Sequence, residues 1–84
     1  MQATQTVKQQ IRSYLLENFL FSEDPADLDD DSSFQTTRII DSMGMMELIS
    51  FLEAEFQIKV ADAEMIPENL DSVNKLVVYV SNKL

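Results

Sequence analysis

The sequence contains neither cysteine nor histidine, and it has only one glycine and two prolines among 84 residues. Without cysteine, disulfides, thiolate metal sites and cysteine nucleophiles are excluded. Without histidine, zinc coordination is disfavoured, and a serine nucleophile lacks its usual base. The scarcity of glycine and proline argues against a β fold rich in turns. We therefore expect a helical protein that is not an enzyme.

Basic residues are also scarce, with six against fifteen acidic residues and a net charge of −9. Nucleic acid and anionic membranes are disfavoured as partners, because binding them requires clustered lysine and arginine. The acidity favours partner proteins with basic patches, although it can also serve solubility alone. Since like-charged copies repel each other, we expect a monomer.

Long apolar runs are absent as well. No stretch is long enough to span a bilayer, and residues 1–10 lack the apolar centre of a signal peptide. We therefore expect a cytoplasmic protein. Hydrophobic residues make up 45% of the chain, which at this length supports a single domain over residues 1–84 with one core.

Three segments, over about 6–20, 42–56 and 73–84, place apolar residues at the three- and four-residue spacing of amphipathic helices. Phe51 lies off these stripes, and the pattern does not place it. One shared core would bury all three stripes. The stripes consist of Val7, Ile11, Leu15 and Phe19; Met45, Leu48, Ile49, Leu52 and Phe56; and Val73, Leu76, Val77, Val80 and Leu84.

Capping residues precede each of these helices. The candidates are Thr4 or Thr6, then Asp41 with Ser42, then Asp71 or Ser72. A short third helix is predicted over about 61–65, ended or interrupted by Pro67. The predicted fold is all-α, a small four-helix bundle of three longer helices and one short third helix, with a long ordered loop between the first and second helices.

That loop, residues 21–41, shows no sustained period and has six acidic residues between positions 23 and 31. Loops of roughly 20 residues in compact domains are usually functional. Apolar anchors recur along it, at Leu28, Phe34, Ile39 and Ile40. We therefore predict a loop strapped over the core, with a turn of helix near residues 26–28.

The alternation of Asp27, Asp29 and Asp31 is similar to the start of an EF-hand calcium loop. The pattern then fails, because Ser32 stands where that loop needs glycine and Arg38 where it needs a bidentate glutamate. No metal site is predicted, and a solvated acidic loop is favoured over an acidic metal-buffering protein.

The stretch Ile39 to Leu48 reads Ile-Ile-Asp-Ser-Met-Gly-Met-Met-Glu-Leu. It places the hydroxyl of Ser42 at the start of an amphipathic helix. A phosphodiester attached there would face free backbone N–H groups and the positive end of the helix dipole. From the local sequence alone, a role for Ser42 as a simple N-cap is the favoured interpretation.

This stretch resembles the signature of the acyl carrier protein family, in which Asp-Ser-Leu or Asp-Ser-Met opens the second helix. Residues 30–34, 53–60 and 70–76 resemble further family segments in the same order, and residues 39–44 resemble D-alanyl carrier proteins. The resemblance implies that Ser42 receives 4′-phosphopantetheine from coenzyme A through a phosphopantetheinyl transferase. The thiol of this covalent arm then carries the cargo as a thioester.

The resemblance also implies which residues partners recognise, with Asp41 assisting the transferase. The candidates are Asp41, Met43, Met46, Glu47, Glu53 and Asp62. For Glu47 and Glu53, an ordinary solvated helix face is an equal alternative. The implied function is a non-catalytic phosphoprotein that shuttles an acyl or aminoacyl group between ligases, synthases or transferases of a fatty-acid, polyketide or specialised pathway. The alternative is a helical interaction module that binds a basic protein.

Overall fold

The computed structural model describes the backbone of residues 3–84 and the side chains of residues 6–84. Within this range the chain forms α-helices and short helical turns and contains no β-strand, which confirms the predicted all-α fold. The helices are α1 (Ala3–Leu15), α2 (Phe34–Thr37), α3 (Ser42–Phe56), α4 (Pro67–Leu70) and α5 (Val73–Lys83).

The first helix differs from its prediction at both ends. Helix α1 already includes Ala3, so the expectation that Thr4 or Thr6 caps it is wrong. Its end passes into a π-helical turn, Leu16–Leu20. Two consecutive leucines, Leu15 and Leu16, are both buried, and the wider π turn lets the apolar face accommodate both.

The predicted loop is ordered and contains more helix than expected. Its anchors Leu28, Phe34 and Ile40 are buried, as predicted, and a 3-10 turn spans Pro25–Asp27. Helix α2 was not predicted, because four residues cannot display a helical period. Its first backbone N–H, on Phe34, donates to the carbonyl oxygen of Asp71 at 2.8 Å, which ties α2 to the segment before α5.

Helix α3 has the predicted bounds, but the segment after it does not. The expected helix over 61–65 is a single 3-10 turn, Asp62–Glu64. The prediction that Pro67 ends or interrupts a helix is wrong, because this residue begins α4. The first position of a helix tolerates proline because its missing N–H would have no partner there.

Helix α5 begins after Ser72, whose hydroxyl accepts a hydrogen bond from the N–H of Lys75 at 3.1 Å. The prediction that Leu84 belongs to its apolar face is wrong, since this residue is 61% exposed at the end of the helix. Helix α5 packs against α1. The core is formed by side chains with no exposed surface, among them Ile11, Leu15, Phe34, Leu48, Leu52, Leu76 and Val80.

Phe51, which the sequence pattern left unplaced, joins α3 to α1. Its ring stacks on that of Tyr14, with 3.9 Å between the centroids and 10° between the planes. The Tyr14 hydroxyl also donates to the carbonyl oxygen of Glu47 at 3.4 Å. These contacts fix α3 against α1.

Candidate functional site

The start of α3 is capped by Asp41. Its carboxylate accepts a hydrogen bond from the N–H of Gly44 at 2.7 Å, and its carbonyl accepts one from the N–H of Met45 at 2.8 Å. Ser42 is therefore the first helical residue, and the interpretation of Ser42 as a simple N-cap is wrong. Both residues are exposed, so the serine hydroxyl reaches solvent and is not needed for capping.

Gly44 allows close packing at this helix start. A Cβ atom at this position would lie 2.7 Å from Cε1 of Phe19 and 3.3 Å from Cγ2 of Ile40, closer than ordinary carbon contacts. The absence of a side chain therefore lets the π turn after α1 pack directly against α3. Ser42 stands on a helix start that is held by this contact.

Ser42 lines a surface groove of about 540 Å³. Buried or half-buried apolar side chains line it, contributed by Ile40, Met45, Ile49 and Met65. Exposed side chains, from Gln35, Arg38, Asp41, Ser42 and Met46, complete it. We call this feature the Ser42 groove. A flexible chain with polar and apolar parts that starts from the serine oxygen has the chemistry to lie along it.

Three of the predicted recognition residues share one face of α3. Met43 and Met46 are 78% and 57% exposed, and Glu47 is exposed as well. Their spacing, three and four residues apart, makes them neighbours on the helix surface. An exposed methionine pair is an adaptable apolar contact for a partner.

Besides Asp41, which caps α3, two further candidates lie in different surroundings. Glu53 is half-buried, and its carboxylate accepts a hydrogen bond from the N–H of Val60 at 2.9 Å, so it connects α3 to the segment that follows. This bond contradicts the alternative of an ordinary solvated position for Glu53. Asp62 is exposed in the 3-10 turn after α3.

Sequence reasoning missed three members of the Ser42 groove. Gln35 belongs to α2, which was not predicted, and Arg38 follows that helix. Met65 comes from the segment after α3, which the chain brings back beside Met45. The only local signal in the sequence that could have indicated one of these groove residues was the position of Arg38, four residues before Ser42.

Neither a cluster of potential metal ligands nor a membrane-spanning helix is found in the part of the chain that the structure describes. Its acidic residues form no group of three or more that could hold a metal ion. None of its helices combines the length and the apolar character needed to cross a bilayer.

Comparison with known proteins gives this site a family. Residues 9–80 match the family described as "Phosphopantetheine attachment site". The chain belongs to this family. It is also similar to D-alanyl carrier proteins, with 43% identity to that of Streptococcus uberis and 40% to those of Streptococcus thermophilus and Streptococcus sanguinis. Each alignment spans 58 residues, 69% of this chain and 72% of the relative.

Membership confirms the resemblance found in the sequence and establishes a carrier protein with a covalent 4′-phosphopantetheine. Carriers of this family are themselves non-catalytic and work with a phosphopantetheinyl transferase and with ligases. The residues around Ser42 fit the group, since the site offers an exposed hydroxyl, a basic side chain and an apolar groove.

Proposed function

We propose that Ser42 is the attachment site and that the chain carries an aminoacyl group between a loading ligase and an acceptor enzyme. The observation that carries this proposal is the exposed Ser42 hydroxyl at the first position of α3, where Asp41 already supplies the cap. When bound, phosphopantetheine supplies the thiol that holds cargo as a thioester. The chain itself, without cysteine, supplies none.

The residues of the chain have three tasks in this function. Asp41 and Gly44 hold the helix start, so that the serine oxygen is presented to a transferase in a fixed position. Met43, Met46 and Glu47 offer the transferase and later partners an apolar contact beside a negative charge. Asp62 adds an exposed negative charge beyond the far end of α3, and Glu53, half-buried, holds that end of the helix to the segment that follows.

An aminoacyl cargo is favoured over the fatty-acid and polyketide cargoes that the family resemblance also allows. The relatives named above are D-alanyl carriers, and their similarity extends over most of the chain. The core supports the same choice, because its central side chains are fully buried and the Ser42 groove lies at the surface. A small cargo needs no space inside the bundle.

Attachment can be tested by intact mass after incubation with coenzyme A and a phosphopantetheinyl transferase of broad specificity. We expect the wild type to gain the mass of one phosphopantetheine and Ser42→Ala to gain none. Ser50→Ala is the matched control, since Ser50 is also an exposed serine of α3, and it should be modified like the wild type. A modified Ser42→Ala would show that the arm is attached at another residue, and an unmodified wild type would contradict the carrier function and leave the interaction module as the better hypothesis.

Cargo class can be tested on the modified protein. With ATP and an adenylating ligase for D-alanine, we expect an added alanyl mass that hydroxylamine removes, as thioesters require. When an acyl ligase that accepts the same carrier is supplied with a fatty acid, we expect a much smaller fraction of the protein to be loaded. Preferential loading with the fatty acid would contradict the aminoacyl proposal without affecting the attachment site.

A further inference from the structure

Arg38 is a basic side chain in the Ser42 groove to which the function proposed above gives no task. It is exposed and lies between α2 and α3, four residues before Ser42. Ion pairs in the described part of the chain engage Lys8, Arg12 and Lys83. Arg38 forms no such pair there, so its guanidinium is available to an anion.

The backbone at Arg38 is unusual for a side chain of this size. Its φ of 60° and ψ of 25° place it in the left-handed region, where it ends α2. This conformation costs an L-residue about 1–2 kcal/mol, and glycine adopts it freely. Arginine at this position therefore offers a long cationic side chain where glycine would fit the backbone better.

Attachment of the arm adds a further negative charge at this place. A phosphodiester at Ser42 carries one negative charge at neutral pH, beside Asp41 and on a chain of net charge −9. Like charges at such short range repel each other, and a nearby cation offsets that repulsion. Guanidinium groups bind phosphate oxygens through charge-assisted hydrogen bonds.

We propose that Arg38 binds the phosphodiester of the arm and so holds the first part of the arm along the Ser42 groove. The inference rests on the proposed attachment at Ser42. The uncharged remainder of the arm then lies over Met45 and Met65, whose flexible side chains adapt to irregular apolar shapes. Because Arg38 is exposed, the contact is weak and reversible, as a carrier that must present its arm to partners requires.

The phosphorus atom provides a direct measurement of this contact. We would record the ³¹P resonance of the modified protein between about 0.1 M and about 1 M NaCl, over which the Debye length falls from ~10 to ~3 Å. In the wild type we expect a salt-dependent displacement of the resonance. In Arg38→Gln the displacement should fall by at least about half, because the remaining change reflects general screening.

Three further variants separate the contact from other causes. Lys59→Gln removes the same charge from an exposed lysine outside the groove and should behave like the wild type. Arg38→Lys keeps the charge and should retain most of the displacement. Arg38→Gly removes the charge in a backbone conformation that glycine favours, and it should match Arg38→Gln even if that variant is unstable.

Two results would overturn the inference. One is an Arg38→Gln protein whose phosphorus resonance responds to salt like the wild type. The other is an equal loss in Lys59→Gln, which would indicate an effect of net charge. Intact mass is measured first, so that failure of attachment at Ser42 is distinguished from failure of the Arg38 contact on a correctly modified protein.

Discussion

The acidic loop, residues 21–33, and the surface of α3 both carry negative charge, but the two regions use it differently. In the loop, five of the six acidic side chains accept hydrogen bonds within the fold. They are Asp24, Asp27, Asp29, Asp30 and Asp31. On α3, Glu53 and Glu55 likewise accept hydrogen bonds, from the N–H of Val60 and the side-chain amide of Gln10, but Glu47 accepts none at its side chain from the described residues and is exposed. The density of acidic residues along a sequence therefore does not locate a docking surface.

Asp30 shows how the loop acids are used. It lies between Lys8, at 2.8 Å, and Arg12. Burial raises the pKa of the Asp30 carboxyl, but the hydrogen bonds and charges of Lys8 and Arg12 outweigh this effect, so its pKa is lowered overall. The carboxylates of Asp30 and Asp31 thus fasten the loop to α1 and α5, whereas the carboxylate of Glu47 on α3 is left exposed.

The largest expected effect that tests this comparison is on the loop. Arg12 donates to the carbonyl oxygens of Leu28, at 2.9 Å, and Pro25, at 2.6 Å, and to the carboxylate of Asp30. Arg12→Met leaves these acceptors without their donor, so we expect a loss of about 2–3 kcal/mol in the free energy of unfolding. Urea titration followed by circular dichroism measures the loss, and amide exchange should accelerate over residues 24–31.

Lys8→Met is the control for Arg12→Met. It removes a single, more exposed ion pair to the same Asp30 and should cost less than about 1 kcal/mol. Equal losses in the two variants would mean that charge near Asp30, and not the bonds to the loop carbonyls, fastens the loop.

A smaller effect is expected for the surface of α3, and it is kinetic. Glu47→Lys changes the net charge from −9 to −7. If Glu47 guides basic partners, the variant should lower kcat/KM of the phosphopantetheinyl transferase by about tenfold at low salt, with the difference shrinking as salt is added. Circular dichroism should remain that of the wild type, since Glu47 is exposed.

Glu23→Lys is the matched control for Glu47→Lys. Glu23 is an exposed acid of the loop, and its replacement changes the net charge by the same amount. It should leave the transferase rate within about twofold of the wild type, because the loop is not proposed to contact the enzyme. Equal slowing by both variants would show that only total charge matters and would remove the distinction between the two regions.

Sequence patterns predicted the parts of the molecule in which one local signal fixes one element. Asp41 and the apolar stripe from Met45 to Phe56 define both ends of α3, and the structure has these ends. The anchors Leu28 and Phe34 likewise indicated an ordered loop, because apolar side chains in an acidic segment need burial.

The remaining features depend on contacts between distant segments, which no local pattern contains. Helix α2 is held by Asp71, whose carboxylate accepts hydrogen bonds from the Ser33 hydroxyl and from the N–H of Gln35, at 3.1 Å. The N–H of Val60 donates to the carboxylate of Glu53, and Met65 lies in the Ser42 groove. Both contacts require the chain to turn back on itself after α3. Residue types identified the candidates, but only the fold separates the acids that are bonded within the chain from those that are left exposed.

The smallest expected effect concerns Glu64, an acid outside both regions that is used within the fold like those of the loop. Its pKa is lowered from 4.5 to about 2 by the ion-paired Lys83, at 2.7 Å, then by the N–H of Ala61, at 3.0 Å, and the hydroxyl of Tyr79, at 2.9 Å. A lowered pKa in the folded state means that ionised Glu64 stabilises the fold. This contribution is complete above pH 4.5 and is lost as the pH falls toward about 2.

We therefore expect wild type and Glu64→Gln to differ in stability at neutral pH and to converge as the pH falls through this window, when Glu64 becomes neutral like glutamine. Urea titrations at a series of pH values measure the convergence. Glu68→Gln, at an exposed position on α4, should show no such change in its difference from the wild type. A constant difference for Glu64→Gln across the window would mean that Glu64 stabilises the fold through hydrogen bonds that do not depend on its charge. Stabilisation through charge would then be confined to the acids of the loop.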